Sequence, residues 1–419
     1  MKINLDPVLS SRIKAAWNLL PAAKQAKLAP LILAANEQAV QLVQTGKAPA
    51  AAAPHQLMLA HTALSDDSDA VAYSLQAGIV IDVGPDGVIW GTGKWEQLDP
   101  GWVEAFAVFL ESLLPIIGGK HAFVDKPQTV EIPDQVSIGI AGDWGTGDWR
   151  NPRNPAASTD VRNHLSLLKP EITIHLGDVY YAGTSDEEVH SLSNLWTPGT
   201  IGSFSLNSNH EMYSGSKPYF KAIANAPFEK QGGCSFFSLE NKNWMIIGLD
   251  SAYFSDEDDL YLDGALFSSG LQNPQNDFLL QKTAQAALNG QKVIILTHHN
   301  GLDETGAATN LLFEQVMGGF PGGGGPAYWY WGHVHAAVAY KPQGPGQTLC
   351  RCCGHGALPW GDATELAGSA QVEWYEHRSA NDPDIPQRVF NGFAVLRLDG
   401  ASIQETFYDE NGGVAWSRP

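Results

Sequence analysis

The chain has 419 residues, 44% of them apolar and 17% charged, which describes a folded globular protein too long for one ordinary core and excludes a disordered chain. A formal net charge of −20 excludes a protein that grips nucleic acid by its phosphates, because that affinity comes from Lys and Arg. No stretch approaches the run of about 20 apolar residues that a membrane helix requires, and the opening "MKINLDPVLSSRIKAAWNLL" lacks the apolar centre of a secretory leader, so a cytoplasmic setting away from membranes is expected.

In chain order, Val8, Leu9, Ile13, Trp17 and Leu20 recur at helical spacing, and a second helix is expected from Leu31 to Val43. The stretch "KAPAAAAP" breaks that pattern. Beyond it, "GIVIDVGPDGVIWGTG" places two β-branched runs around a turn, a hairpin signature, and "PGWVEAFAVFLESLLPII" reads as an apolar helix. Residues 1–125 are therefore expected to form a small accessory α/β domain, mainly helical with one hairpin and no evident chemistry. His55 and His61 lie in it without a carboxylate or thiol at ligand spacing, which makes them surface or packing residues on this reading. "GGKHAFVDKPQTVEIPDQ" follows as a linker.

From 136 to 419 the pattern changes to short apolar runs between polar or helical segments: "VSIGIAG", "EITIHLG", "GSFSLNS", "NWMIIGLD", "KVIILTH" and "AYWYWGH". One helix is well marked, with Asn273 as its N-cap, Pro274 in its first turn and Gly290 as its stop. The tail "GFAVLRLDGASIQETFYDENGGVAW" reads as a closing β-meander. Strands alternating with helices imply a layered α/β domain, and in such domains ligands bind beyond the carboxyl ends of the strands. Three of the four cysteines crowd into "CRCCG" as Cys350, Cys352 and Cys353; this is no disulfide framework, and buried thiols on a strand in a reducing compartment are expected.

The residues with ligand chemistry fall where these strands end. "GIAGDWG" supplies Asp143, "HLGDVYY" supplies Asp178 and Tyr181, and "SLNSNHE" supplies Asn209 and His210; "ILTHHN" supplies His298 and His299, and "WGHVH" supplies His333 and His335. One such residue would be a turn former or a packed imidazole, but five stretches in succession are hard to assign to turn chemistry. Carboxylate, phenolate, amide and imidazole suit iron, zinc or manganese, and seven of these nine residues, His210 and His299 set aside, are already too many for one ion. Two ions sharing Asp178 would each receive four protein ligands and keep positions open for water and substrate.

Taken together, "GDWG…GDVYY…NHE…ILTH…GHVH" resembles the five-block signature of the calcineurin-like metallophosphoesterases and, within them, the purple acid phosphatases, over roughly residues 136–410. Most of that superfamily opens with D-x-H; here the first block is Asp143-Trp144-Gly145, and the G-D-x-x-Y tyrosine of the purple acid phosphatases, Tyr181, stands in the second. The resemblance implies a layered β-sandwich flanked by helices. It also implies a ferric ion on Asp143, Tyr181 and His335, a divalent ion (iron, zinc or manganese) on Asn209, His298 and His333, and Asp178 bridging the two. The implied activity is hydrolysis of a small phosphate monoester by a metal-activated hydroxide, with His210 contacting the phosphate or protonating the leaving oxygen and His299 doing either or packing behind His298. A phosphodiesterase, for instance for cyclic nucleotides, uses the same site in this superfamily, and a non-catalytic scaffold is the rival from another class.

Two departures stand out. The third block reads Ser208-Asn209-His210 in place of G-N-H, and "GLDETGAATN", after the fourth block, lacks the further histidine of purple acid phosphatases, so the leaving-group acid is open. The loop "GGFPGGGGP" (318–326) reads as a connector or a mobile lid, and the acidic run "SDEDD" (255–259) as a solvated loop. Trp144, Trp149, Trp329 and Trp331 are expected to fill the core in preference to walling a pocket.

Overall fold

A computed structural model describes residues 5–65, 80–114, 118–268 and 273–419. Two sheets form its centre. The six-stranded sheet runs, edge to edge, Val414–Arg418, Ser402–Asp409, Gly392–Asp399, Gln135–Ala141, Ile172–His175 and Gly202–Ser205. Its first half is the antiparallel meander expected of the tail, and its second half is parallel. The eight-stranded sheet runs Val372–Tyr375, Ala337–Tyr340, Leu349–Cys353, Tyr328–Trp331, Lys292–Leu296, Trp244–Gly248, Phe237–Glu240 and Gln128–Glu131.

The sheets pack face to face because alternate residues of their strands are apolar and point to a shared interior. Ile138, Ile140 and Ile174 from one sheet and Ile246, Ile294, Leu296 and Tyr330 from the other belong to a single buried cluster. The outer face of the larger sheet is covered by Pro274–Asn289 and Leu311–Gly318, which bury Phe278, Leu279, Leu312 and Val316. The chain is thus a layered β-sandwich flanked by helices. The first of these covering helices is bounded as its sequence dictates: the Asn273 side chain accepts from the amides of Gln275 and Asn276, and Gly290 takes the left-handed conformation that ends it. Cys350, Cys352 and Cys353 are buried free thiols on one strand, and burial pushes Cys350 and Cys353 up to about 12.

Several local expectations change. The second helix spans Ala22–Thr45, starting well before the expected Leu31, and carries Pro30 inside it. Part of the expected linker, Gln128–Glu131, is an edge strand parallel to Phe237–Glu240; being mostly exposed and polar, it has no apolar alternation to announce it. The run 255–259 is not simply solvated: Asp258 and Glu257 pair with Lys24, and Asp258 also with Lys27. The loop 318–326 leads into the start of Tyr328–Trp331, while the site residues follow that strand's far end, so it is a connector and not a lid. Trp144, Trp329 and Trp331 are core residues, and Trp149 is partly buried against Trp95.

The N-terminal segment contributes helices Pro7–Leu19 and Ala22–Thr45, short helices His55–Met58 and Ala60–Leu64, the hairpin Val80–Val83 with Ile89–Gly91, and helix Trp102–Ser112. Gly78, Ile79 and residues 115–117 of the expected hairpin and helix lie outside the described residues. Its apolar cluster does not stop at residue 125: Ile13, Leu28, Leu57, Phe106 and Leu110 share it with Ala182, Met212, Tyr213, Ala252 and Tyr261. The segment therefore packs against the loops that leave the carboxyl ends of the sandwich strands.

Candidate metal centre

Five strand ends deliver side chains to the same place. Asp143 follows Gln135–Ala141, Asp178 follows Ile172–His175, and Asn209 follows Gly202–Ser205; His298 follows Lys292–Leu296, and His333 and His335 follow Tyr328–Trp331. Asp143, Asp178 and His333 all adopt positive φ (56°, 78° and 65°), a costly conformation for residues with a Cβ that is held only where the surroundings over-determine it. Two glycines let the loops close up. A Cβ on Gly177, itself at φ 103°, would lie 2.8 Å from His298 Nδ1, and one on Gly332 would lie 2.5 Å from Asp143 Oδ2.

The donor atoms form two groups joined by Asp178. In the first, His298 Nε2 is 2.9 Å from Asn209 Oδ1, 3.2 Å from His333 Nδ1 and 3.3 Å from Asp178 Oδ1, and His333 Nδ1 is 3.2 Å from Asn209 Oδ1. His298 Nδ1 lies 2.9 Å from the Leu176 carbonyl, which only accepts, so Nδ1 carries the proton and Nε2 presents a lone pair. Asn209 uses its Nδ2 on the Tyr213 hydroxyl at 3.1 Å, which turns Oδ1 toward the same point. Lone pairs from nitrogen, amide oxygen and carboxylate thus converge with no hydrogen between His298, Asn209 and Asp178. In the second group, His335 Nε2 is 3.4 Å from Asp143 Oδ1, and a phenol is 2.8 Å from Asp178 Oδ2, 3.2 Å from His335 Nε2 and 3.3 Å from Asp143 Oδ1.

That phenol belongs to Tyr180, not to Tyr181. The Tyr181 hydroxyl points away, donating to Asp99 Oδ2 at 2.6 Å and accepting from Lys94 Nζ at 2.9 Å. Its ring packs so closely on Gly101 that a Cβ there would come within 2.3 Å, and Trp95 and Trp102 flank it at 4.3 and 4.7 Å between centroids. Tyr181 therefore fastens the N-terminal segment to the site loop, and the tyrosine facing the acids is one residue earlier than the sequence pattern implies.

His210 comes close to the cluster: its Nδ1 donates to the Tyr181 carbonyl at 2.7 Å, leaving Nε2 as the lone-pair nitrogen, 3.8 Å from Asp178 Oδ2. His299 is committed elsewhere. Its Nε2 donates to the Tyr261 carbonyl at 2.8 Å, and its Nδ1 meets Ser251 Oγ at 2.9 Å, so the ring packs behind His298 and has no nitrogen to spare for substrate. Of the two readings open for His299, those two bonds favour packing.

The electrostatics call for positive charge. Asp143 and Asp178 are buried, and neither has a Lys or Arg partner among the described residues. Burial and the neighbouring Asp178 push the Asp143 carboxyl well above its usual range. Burial also pushes His298 and His335 down to about 3 and lowers His333, so these imidazoles are neutral and leave the carboxylates unbalanced. Cations fit such a donor set: ligands on one ion at bonds of about 2.0–2.2 Å sit roughly 3 Å from one another, the spacing found in both groups. Asp143, Asp178 and His298 offer three donor atoms mutually within 4.8 Å, and so do His298, His299 and His333, although His299 spends its nitrogens elsewhere.

A cavity of about 470 Å³ opens over His333 and His335. Part of its wall comes from the N-terminal segment, including His55, Gln56, Asp86 and Gln97; Asp263, Glu304 and Glu365 add further acids, and no Lys or Arg lines it among the described residues. His55 thus packs, as expected, but does so on the wall of this cavity. Its ring lies 4.0 Å from Trp102 and stacks at 5.6 Å on His210. No local spacing signals it, since it reaches the site only through the packing of the segment that carries it.

No protein-family model and no curated protein matches the chain. Three solved structures are similar at low identity. GAP50, the anchor in the inner membrane complex of Plasmodium, is 10% identical with a TM-score of 0.45, over 68% of this chain and 88% of that one. A dimetal phosphatase from Danio rerio is 12% identical with a TM-score of 0.42, over 65% and 95%. A conserved uncharacterized protein from Streptococcus pneumoniae, a predicted phosphoesterase, is 14% identical with a TM-score of 0.27, over 68% and 96%. Likenesses this weak decide nothing about the chain, and its chemistry has to be read from its own donor atoms.

Proposed function

We propose that the chain is a two-metal phosphoester hydrolase of the purple acid phosphatase type acting on small phosphate monoesters. The observation that carries this reading is the convergence of unprotonated donors from His298, Asn209 and Asp178 at one point, with Asp143, His335 and Tyr180 grouped beside it and Asp178 common to both. Asn209, His298 and His333 would hold one ion, Asp143, His335 and Tyr180 the other, and Asp178 both. A pair of cations there would lower the pKa of a bound water and neutralise the phosphoryl oxygens during displacement. The phenol of Tyr180, an oxygen donor suited to a ferric ion, favours iron in the second position.

The chain's own residues supply the rest. His210 turns Nε2 toward the cluster, where it can accept a hydrogen bond from a protonated phosphoryl oxygen. The acids of the cavity wall, with no Lys or Arg beside them, disfavour polyanionic substrates and suit an ester whose organic part is neutral or cationic.

Metal analysis together with hydrolysis of nitrophenyl phosphate and bis-nitrophenyl phosphate tests the reading. Two ions per chain, activity lost on chelation and restored by metal, and preference for the monoester are expected. A protein that takes up no stoichiometric metal and hydrolyses neither ester overturns it; preference for the bis-ester makes it a phosphodiesterase on the same site.

A further inference from the structure

The proton inventory of the three imidazoles beside the proposed ion ligands is uneven. His299 has both nitrogens engaged, by Ser251 and the Tyr261 carbonyl. His210 spends its N–H on the Tyr181 carbonyl and, when neutral, has only a lone pair to offer the site. His55 differs. Its Nε2 lies 2.9 Å from the amide nitrogen of Gln56, which donates, so the neutral ring carries its proton on Nδ1. Nδ1 has no partner among the described residues, and His55 lines the cavity above His333 and His335.

The ring is also held firmly. Trp102 packs against it on one side and His210 stacks near it, while the Gln56 amide that fixes the tautomer is itself anchored 2.9 Å from the Tyr213 hydroxyl. Tyr213 in turn meets Asn209 Nδ2 at 3.1 Å, so one chain of polar groups runs from the ion-facing amide to His55. Burial, then the neighbouring His210 and His335, keep His55 well below the ordinary histidine range, and it meets substrate as a neutral donor.

We propose that His55 donates a hydrogen bond from Nδ1 to the leaving oxygen of the ester, a role that rests on the hydrolase reading above. As the bond from phosphorus to the attacking oxygen forms and the bond to the leaving oxygen breaks, the electron pair of the broken bond collects on that oxygen, where a preorganised N–H is most effective. Solvent in the cavity takes the proton given up by the attacking water and returns one to the leaving oxygen to complete the alcohol. Ester and water thus become alcohol and phosphate, and His55 ends neutral as it began. The N-terminal segment then supplies a group that touches the reacting atoms.

The test is leaving-group dependence. An alkyl phosphate expels a basic alkoxide that needs this donor; nitrophenyl phosphate expels a stabilised phenolate that needs it little. His55→Phe, which keeps a ring against Trp102, is expected to lower kcat for an alkyl phosphate by about 100-fold while leaving nitrophenyl phosphate nearly unchanged and metal content intact. His55→Asn, whose amide nitrogen falls near the place of Nδ1, should recover part of the alkyl activity. Equal losses on both esters, or no loss on either, would overturn the role of His55 and leave the hydrolase reading standing. Wild-type protein loaded with two ions that cleaves neither ester would overturn both.

Discussion

The ends of the sandwich strands and the N-terminal segment meet at one cavity but contribute in different ways. The strand ends supply a repeated device, a side chain two to four residues past a strand, and the sheets bring the repeats together. The N-terminal segment supplies His55 to the cavity wall and Lys94 and Asp99 to the Tyr181 hydroxyl that points away from the acids, because a shared apolar cluster fastens the segment there. A site can thus be half encoded in pattern and half in packing, and variants on each side should fail differently. Removing the carboxylate common to both donor groups is the severest test: Asp178→Asn is expected to abolish stoichiometric metal uptake and lower kcat/KM by about 10³-fold or more. Metal analysis beside the hydrolysis assay measures both, and an active variant with two ions would break the account of the strand ends.

The adjacent tyrosines divide between the two regions, since Tyr180 faces the acids and Tyr181 faces the N-terminal segment. Tyr180→Phe should remove any visible phenolate-to-iron band and impair the second ion position. Tyr181→Phe should keep band and activity but cost about 1–3 kcal/mol in chemical denaturation, because it leaves Asp99 and Lys94 without the hydroxyl between them. A band that disappears with Tyr181 and survives loss of Tyr180 would reverse the assignment.

This pair also marks the limit of what the sequence makes legible. That Asp143, Asp178, Asn209, His298, His333 and His335 come together can be read from the chain, because each carries a donor atom and follows a strand, and the layered sandwich follows from the same alternation of runs. Which of two neighbouring tyrosines turns inward is settled by Gly101, Trp95 and Trp102, far away in sequence. His55 is illegible for the same reason, and so is the edge strand Gln128–Glu131, which pairs through its backbone and buries little. His299 stays open in the sequence between substrate and packing, and only Ser251 and Tyr261 reveal that its nitrogens are spent.

The N-terminal segment should also carry its own pH dependence. Burial pushes Glu96 up to about 7, although the Gly93 amide donates to its Oε2 at 2.7 Å. A folded-state pKa above the unfolded value of about 4.5 means stability fully present below pH 4.5 and lost as pH rises through 7. The loss amounts to about 3 kcal/mol at 1.36 kcal/mol per unit. Glu96→Gln should flatten this fall between pH 5 and 8 in denaturation midpoints, and an unchanged slope would assign it to other groups.

The smallest effect is expected where the N-terminal segment meets the acidic run. Lys24 Nζ lies 2.6 Å from Asp258 Oδ1, with the two side chains 26% and 17% exposed, so solvent screens the pair and its worth is at most about 1 kcal/mol. Burial opposes the charge on Asp258, but Lys24 and Lys27 outweigh it and hold the carboxyl below its usual range. A depressed carboxylate stabilises the fold above pH 4 and loses that contribution as pH falls further. A double-mutant cycle on Lys24→Ala and Asp258→Asn should therefore give a coupling that shrinks with added salt and disappears in acid. Neither variant should change activity, because the apolar cluster of Ile13, Leu28, Leu57 and Phe106, and not this ion pair, is what holds the segment over the site. A large drop in kcat from Lys24→Ala would mean that the segment is fastened by charge, and the contrast between its two kinds of contact would have to be redrawn.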